Sequence, residues 1–393
     1  MEQQFDFKLK YKLIFGILAG IGIISLLACV FIFHIHESRI WSNILLNTVY
    51  FIFISLCGVV FIVIHILGDS GWQVSIQRIP EAVSMYLPVG SIFMLIILGG
   101  LWFNYHHIYH WVHPDPHDEI LQLKTGFLNV PFFSIRTIIY LTGWIVFAVL
   151  LRKTSLNEDR KANLKYFNKS NILAGLFIVF FAITSSTSAW DWIMSLDPHW
   201  FSTLFGWYLF SGLLSSGTAI IILITVFLKY AGYLPHVNKE HLHDLGKYLF
   251  GFSVLWAYLW FSQYMLIWYG NIPEETIYFI ERLEKYNTFF FLNVAINFVF
   301  PFLALMTRNS KRIPVILTLV SIIVFAGHWL DYYLLVMPGT LGKDAGIGIP
   351  EIGITLGFSG IFLFVVFRAL TKANLVPKNH PYLKESLHYH TQY

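Results

Sequence analysis

Charge is what this sequence has least of. Only 12% of its 393 residues are Asp, Glu, Lys or Arg, against roughly 25% in an ordinary soluble domain, which is too little to keep a chain of this length dispersed in water. Cysteine is scarcer still. Cys29 and Cys57 both lie in apolar runs; two thiols exclude a disulfide framework and an iron–sulfur cluster, which needs about four thiolates. No CxxCH motif is present, so haem c is not attached covalently. Any redox centre is therefore a dissociable quinone, a His-ligated haem, or the property of partner chains. The chain also lacks a soluble domain with basic residues interleaved among aromatics, which leaves no footprint for nucleic acid.

What fills the space is apolar: 56% of residues are hydrophobic and 18% aromatic, with 37 Phe, and the mean hydropathy is +0.64. Stretches long enough to cross a hydrocarbon layer of ~30 Å run over about 12–33, 45–67, 84–104, 131–151, 170–190, 203–228, 248–269, 288–306, 313–335 and 351–370. Helix is the state that satisfies the backbone of such segments in lipid, whereas barrel strands would be about half as long and alternate in polarity. The expected fold is all-α and integral to the membrane, with about ten transmembrane helices. The run that follows Met1–Lys12 lacks an A-x-A-like cleavage site and reads as a first span rather than a signal peptide.

Lys and Arg set the expected orientation. With the N-terminus inside, inner segments hold 20 of the 26 basic residues, six of them in Arg152–Lys169, and outer segments hold six, Lys343 among them. Both termini are then cytoplasmic. The long outer loop Asn104–Val130 is rich in His, Pro and acids, and Glu274–Asn287 carries Ile277, Phe279, Ile280 and Leu283 among charges, the pattern of a short helix lying on the membrane surface. A weak internal echo joins Trp190-Asp191-Trp192, ending span five, to His328-Trp329-Leu330-Asp331 in span nine. Two parallel four-helix bundles, spans two to five (about 45–192) and six to nine (about 203–335), would place these motifs alike, with 12–33 and 351–370 peripheral.

Ionisable groups inside a membrane are costly and mark function by default. On the outer side these are Arg136, Asp191, His328, Asp331 and Glu351, with Ser185, Ser186, Thr187 and Ser188 one to two turns before Asp191. A quinol site needs a proton acceptor and an aromatic-walled slot, and Asp191 between two tryptophans offers both residue types. The bland reading is that Asp191 and Glu351 are solvated at helix ends, with Arg136 as structural glue for one of them. On the inner side, His65 and Asp69 are four apart, so they share a helix face, as a proton entry path would require; the bland alternative is a solvated helix end held by an ion pair to Arg78. The loop histidines His106, His107, His110, His113 and His117 match no particular metal geometry, and no metal site is expected. Mid-membrane bis-His haem ligation is disfavoured, since His65 and His328 lie at opposite depths.

The runs Ser185–Trp192, Phe261-Ser-Gln-Tyr-Met-Leu-Ile-Trp-Tyr-Gly-Asn-Ile-Pro-Glu-Glu-Thr276 and His328-Trp-Leu-Asp331 through Pro338 resemble the polysulfide-reductase-like (NrfD-type) membrane family. Within it, the chain is most similar to the second such subunit of alternative complex III, a bacterial quinol:cytochrome c oxidoreductase. The resemblance covers nearly the whole chain, and Gln263–Thr276 is its most specific part. It implies two four-helix bundles plus two peripheral helices in the bacterial cytoplasmic membrane. It also implies a paralogous ten-helix quinol-oxidising subunit, an iron–sulfur subunit and c-type haem subunits as partners, with menaquinol as donor and cytochrome c or a terminal oxidase as acceptor. Asp191 matches an acidic residue used by the quinol-oxidising paralogue, but that paralogue's partnering histidine has no counterpart here.

Three expectations follow. The first is a subunit, not catalytic alone, that supports quinol oxidation and proton translocation through Asp191, Asp331 and Glu351 outside and His65 and Asp69 inside. The second is a secondary transporter with parallel repeats, against which the scarcity of mid-span prolines counts. The third is a purely structural anchor for redox partners.

Overall fold

The computed structural model describes residues 3–342 and 345–390; Met1 and Lys343 lie outside them. Among the described residues ten helices are long and apolar enough to cross a membrane: Leu9–Phe31, Glu37–Leu67, Arg78–Trp102, Val130–Arg160, Leu164–Leu196, Phe205–Tyr230, Lys239–Gly270, Asn287–Leu305, Pro314–Leu341 and Ile349–Leu370. These are spans one to ten. Apart from an isolated bridge between Gln4 and Asn374, no extended pairing occurs among the described residues. The protein is an all-α, multi-pass integral membrane protein.

Several helices start and stop on chemistry that hydropathy does not register. Asn129, Asn163 and Asn238 cap spans four, five and seven by accepting backbone N–H bonds, satisfying donors that have no intrahelical partner. Span seven ends where Asn271 turns left-handed at φ 45°. Span three begins at Arg78, earlier than expected, and breaks between Ser84 and Leu87, since Pro88 removes an N–H from the ladder. Span eight contains a π-helical turn at Ala295–Val299 just before Pro301. The segment before it, between spans seven and eight, follows the amphipathic expectation: Pro273–Lys285 is a helix that buries Tyr278, Phe279 and Arg282 and leaves Glu274 and Glu284 exposed.

Span two is apolar all round and accordingly buried along nearly its whole length. It touches spans three, five, six, nine and ten. Span four packs on spans three and five, and span seven on spans six and nine; spans five and six then join the two groups. Spans one and ten form a pair on the flank, where an added Cβ on Gly22 would lie 2.3 Å from the Gly357 Cα. That close approach is why both positions are glycine. Gln3 and Gln4 bond to the carbonyls of Gly232 and Thr371, so both ends of the chain lie on one face, here the terminal face. The loops around residues 103–129, 193–204 and 271–286 form the far face.

Candidate functional site

Three carboxylates sit buried on the far-face side, and their partners differ. Asp191, fully buried at the end of span five, receives two parallel bonds from Arg136 of span four, Nε at 2.8 Å and Nη2 at 2.7 Å. Tyr140 donates to it at 2.9 Å. The guanidinium is held in turn by the Phe127 carbonyl at 3.0 Å and lies over the Phe127 and Phe132 rings. Glu351, opening span ten, is clamped by Arg39 Nε at 2.8 Å and Nη2 at 2.9 Å, with Asn43 at 3.0 Å and the Gly348 N–H at 2.8 Å. A bidentate guanidinium neutralises a carboxylate and fixes its geometry, so neither is poised to take a proton.

Asp331 differs. It is 2% exposed in span nine and accepts from three neutral donors: Tyr208 of span six, Trp256 Nε1 of span seven at 3.0 Å and Asn293 Nδ2 of span eight at 2.7 Å. Among the described residues no Lys or Arg lies within 4.0 Å of it; the one basic group that close is His328, with Nδ1 at 3.9 Å. His328 is wholly buried and neither ring nitrogen has a hydrogen-bond partner. Asn297 donates to Asn293 at 2.6 Å, and its own Oδ1 is unpartnered. Ser253 and Ser321, on spans seven and nine, also bury unpartnered hydroxyls. Such orphans are costly in a membrane and are the groups that internal waters serve.

A cavity of about 30 Å³ reaches Asp331, lined also by Tyr208, Gln263, Tyr278, Arg282 and Asn293. That volume holds about one or two waters and no quinone ring. Tyr278 also lines a second space of about 500 Å³ with Asp197, Trp200, Glu274 and Glu281, open to the far face. Between the two stands Arg282, which bonds to the carbonyls of Leu334 and Tyr278 and to Asp197 at 3.3 Å. Its guanidinium lies 3.3 Å from the Tyr278 ring centre, and Tyr278 stacks on Trp200 at 3.8 Å. Burial pushes the Tyr278 hydroxyl above its ordinary value, so it stays protonated.

The other expected site residues are dispersed. Trp192 turns into the core and donates to Thr137, while Thr187 and Ser188 bond back to their own helix. The expected slot between Trp190 and Trp192 therefore does not open beside Asp191. His65 is buried, with Nδ1 on the Phe61 carbonyl at 2.6 Å and Nε2 unpartnered. Asp69 does not share its helix face: span two stops at Leu67, Gly68 follows, and Asp69 is exposed at φ 46°. Nor does Arg78 hold that helix end, because it is bound to Glu81 at 2.6 Å and Asp159 at 2.5 Å. In the far-face loop, His106 packs on Trp41 and burial lowers its pKa. His110 reaches the Gly339 carbonyl, and His199 pairs with Asp118, whose pKa the Leu121 N–H lowers. Among the described residues no three His, Cys, Asp or Glu side chains gather to hold a metal.

Sequence reasoning missed the partners of Asp331. Asn293 and Asn297, four apart in an otherwise apolar run, were the available signal, since two amides on one face of a spanning helix need a polar neighbour. The chain matches no protein-family model and no curated protein.

Proposed function

We propose that this chain is a membrane subunit of a quinol:cytochrome c oxidoreductase of the alternative complex III kind, and that its own contribution is proton handling at Asp331. The observation that carries the second part is the contrast among the three acids buried on the far-face side. Asp191 and Glu351 are locked by arginine, whereas Asp331 is solvated only by neutral donors that can hold it in either protonation state. Burial without a cation disfavours the charged form while the three donors favour it, and that balance is what leaves the proton exchangeable. The far-face route passes from Asp331 through the small cavity to Tyr278, Arg282 and the acidic vestibule. Away from that face, His328, Ser253 and Ser321 continue the polar file. Quinol oxidation belongs, in this reading, to the paralogous ten-helix subunit, and electrons pass to iron–sulfur and c-type haem partners. The resemblance of Gln263–Thr276 and His328–Pro338 to NrfD-type subunits supports the assignment to such a complex in the bacterial cytoplasmic membrane, with the terminal face on the cytoplasmic side.

Asp331→Asn in the intact complex tests the reading. The amide keeps shape and most hydrogen bonds but cannot ionise. The proton-to-electron ratio in proteoliposomes is expected to fall while the complex stays assembled. An unchanged ratio would remove Asp331 from the path.

A further inference from the structure

Spans one and ten, the flanking pair, form a basic mouth at the terminal face. Lys12 of span one and Arg368 of span ten line a space of about 410 Å³ with Phe7, Phe364 and Thr371, a size that suits a small-molecule head group. Among the described residues neither cation has a carboxylate within 4.0 Å. The chain segments around the mouth are one-sided in charge: Lys8, Lys10, Lys12, Arg368 and Lys372 stand against Asp6, and no acid occurs between Glu351 and Glu385. Span one also begins there without a carboxylate in its first turn, so its dipole adds to the positive potential. The mouth is held in place. Gln4 donates to the Thr371 carbonyl, tying the segment before span one to the end of span ten. Phe7 is buried against Phe15, Phe364 and Phe367, with ring centres at 6.0, 5.6 and 6.1 Å, and the Lys12 ammonium lies 5.5 Å from the Phe7 ring centre.

From this mouth an apolar groove runs into the membrane. Ala19, Ile23 and Leu26 follow Lys12 at seven, eleven and fourteen residues, and Ile361, Gly357 and Ile354 precede Arg368 at the same spacings. Each set therefore shares one helix face with its cation. These six residues line a second space of about 200 Å³, which side chains of spans two and three complete. Fourteen residues of helix cover about 21 Å, deeper than one leaflet of a ~30 Å hydrocarbon core. Ile23 of span one and Ile96 of span three remain exposed at its edges, so the groove opens sideways onto lipid.

We propose that spans one and ten hold an anionic phospholipid, its phosphate at Lys12 and Arg368 and one acyl chain in the groove toward Gly357. Two cations without a carboxylate at the membrane interface call for an anion, and an apolar groove on the same helix faces calls for a chain attached to it. A free phosphate would use only the mouth, and a zwitterionic lipid would bring a cation of its own to the basic pair. The site is separate from Asp331 and stands whether or not that residue moves protons.

The test is photolabelling of the full chain, purified with any bound subunits, in phosphatidylcholine nanodiscs. About a tenth of the lipid is phosphatidylglycerol with a photoreactive acyl chain, and the label is mapped by mass spectrometry. Label is expected within residues 19–26 or 354–361, and a phosphatidylcholine probe should label them at least tenfold less. Lys12→Gln with Arg368→Gln should cut the phosphatidylglycerol label at least tenfold, as should Ile361→Trp, which fills the groove. Lys165→Gln with Lys169→Gln, exposed cations on the same face, should leave it within twofold. Equal labelling by the two lipids, or label indifferent to the Lys12 and Arg368 substitutions, would overturn the assignment. So would an equal fall with the Lys165 and Lys169 substitutions, or these segments cross-linking to a partner helix in place of lipid.

Discussion

Arg136 and Asp191 illustrate how one neighbour changes the meaning of a buried acid. Both side chains are at least nine-tenths buried, and each of the three guanidinium nitrogens donates, to Asp191 or to the Phe127 carbonyl. Removing either partner leaves an uncompensated charge inside the protein, which costs about 3–5 kcal/mol, whereas replacing both with apolar residues of similar volume is often close to neutral. Arg136→Leu and Asp191→Leu are therefore each expected to lower the thermal midpoint of the purified complex strongly. The double variant should recover most of the loss, with the proton-to-electron ratio of the recovered complex near wild type. Equal and additive losses would mean that the two side chains act independently. The contrast with Asp331 is sharp, since there the isosteric amide is expected to spare stability and impair function.

At the scale of elements, the C-terminal segment is a part of the fold whose hold on the terminal face depends on pH. It carries His380, which is buried against Phe167 and Tyr382 near Arg78 and Glu81. Burial, aided by Arg78 and opposed by Glu81, lowers its pKa from 6.5 to about 4. A released segment binds a proton below about pH 6.5 and the docked one only below about pH 4. Docking is thus at full strength above pH 6.5 and weakens as pH falls toward 4, by up to about 3 kcal/mol at 1.36 kcal/mol per unit. Limited proteolysis of this segment should accelerate between pH 7.5 and 5, and His380→Gln should flatten the dependence; a wild-type rate flat across that range would contradict it. Little of this was legible in the sequence, because hydropathy reads only what must lie in lipid. It located all ten spans but stopped span four near residue 151, where the helix runs on to Arg160, and started span seven near 248, where it begins at Lys239. Those extra turns are polar, carry no membrane signal, and are stabilised by caps and the terminal strap. The buried acids were legible because the cost of placing a charge in a span singles them out. Their partners were not: Arg136 and Asp191 are 55 residues apart and Arg39 and Glu351 are 312 apart, so only the packed fold decides which carboxylate receives an arginine. Asp69 failed as a partner for His65 for a local reason, since spacing of four implies a shared face only while the helix lasts, and this one ends at Leu67.

At the scale of the whole molecule, the groups the chain carries fit the proposed role as one component of a redox complex. Its two cysteines are buried and unpaired, and the sequence has no haem-attachment motif, so the chain has no means of its own to ligate an iron–sulfur cluster or attach haem c. Yet among the described residues it buries a carboxylate with no Lys or Arg within 4.0 Å, beside a histidine whose ring nitrogens have no hydrogen-bond partner, groups that are costly inside a membrane and mark function by default. In the proposed reading a partner docks on the far face, where Phe103, Tyr105 and Leu123 are 73%, 66% and 88% exposed. Affinity purification of this chain from native membranes in mild detergent should then carry a c-type haem spectrum that a menaquinol analogue reduces. Because the chain cannot attach that haem, the signal would place it within an oxidoreductase. Replacing Leu123 and Phe103 together with Asp should deplete the haem at least several-fold while the ten-span protein remains in the membrane. A colourless, monodisperse chain that holds its size without partners would instead return the argument to a transporter, in which Asp331 and its polar file serve a solute gradient.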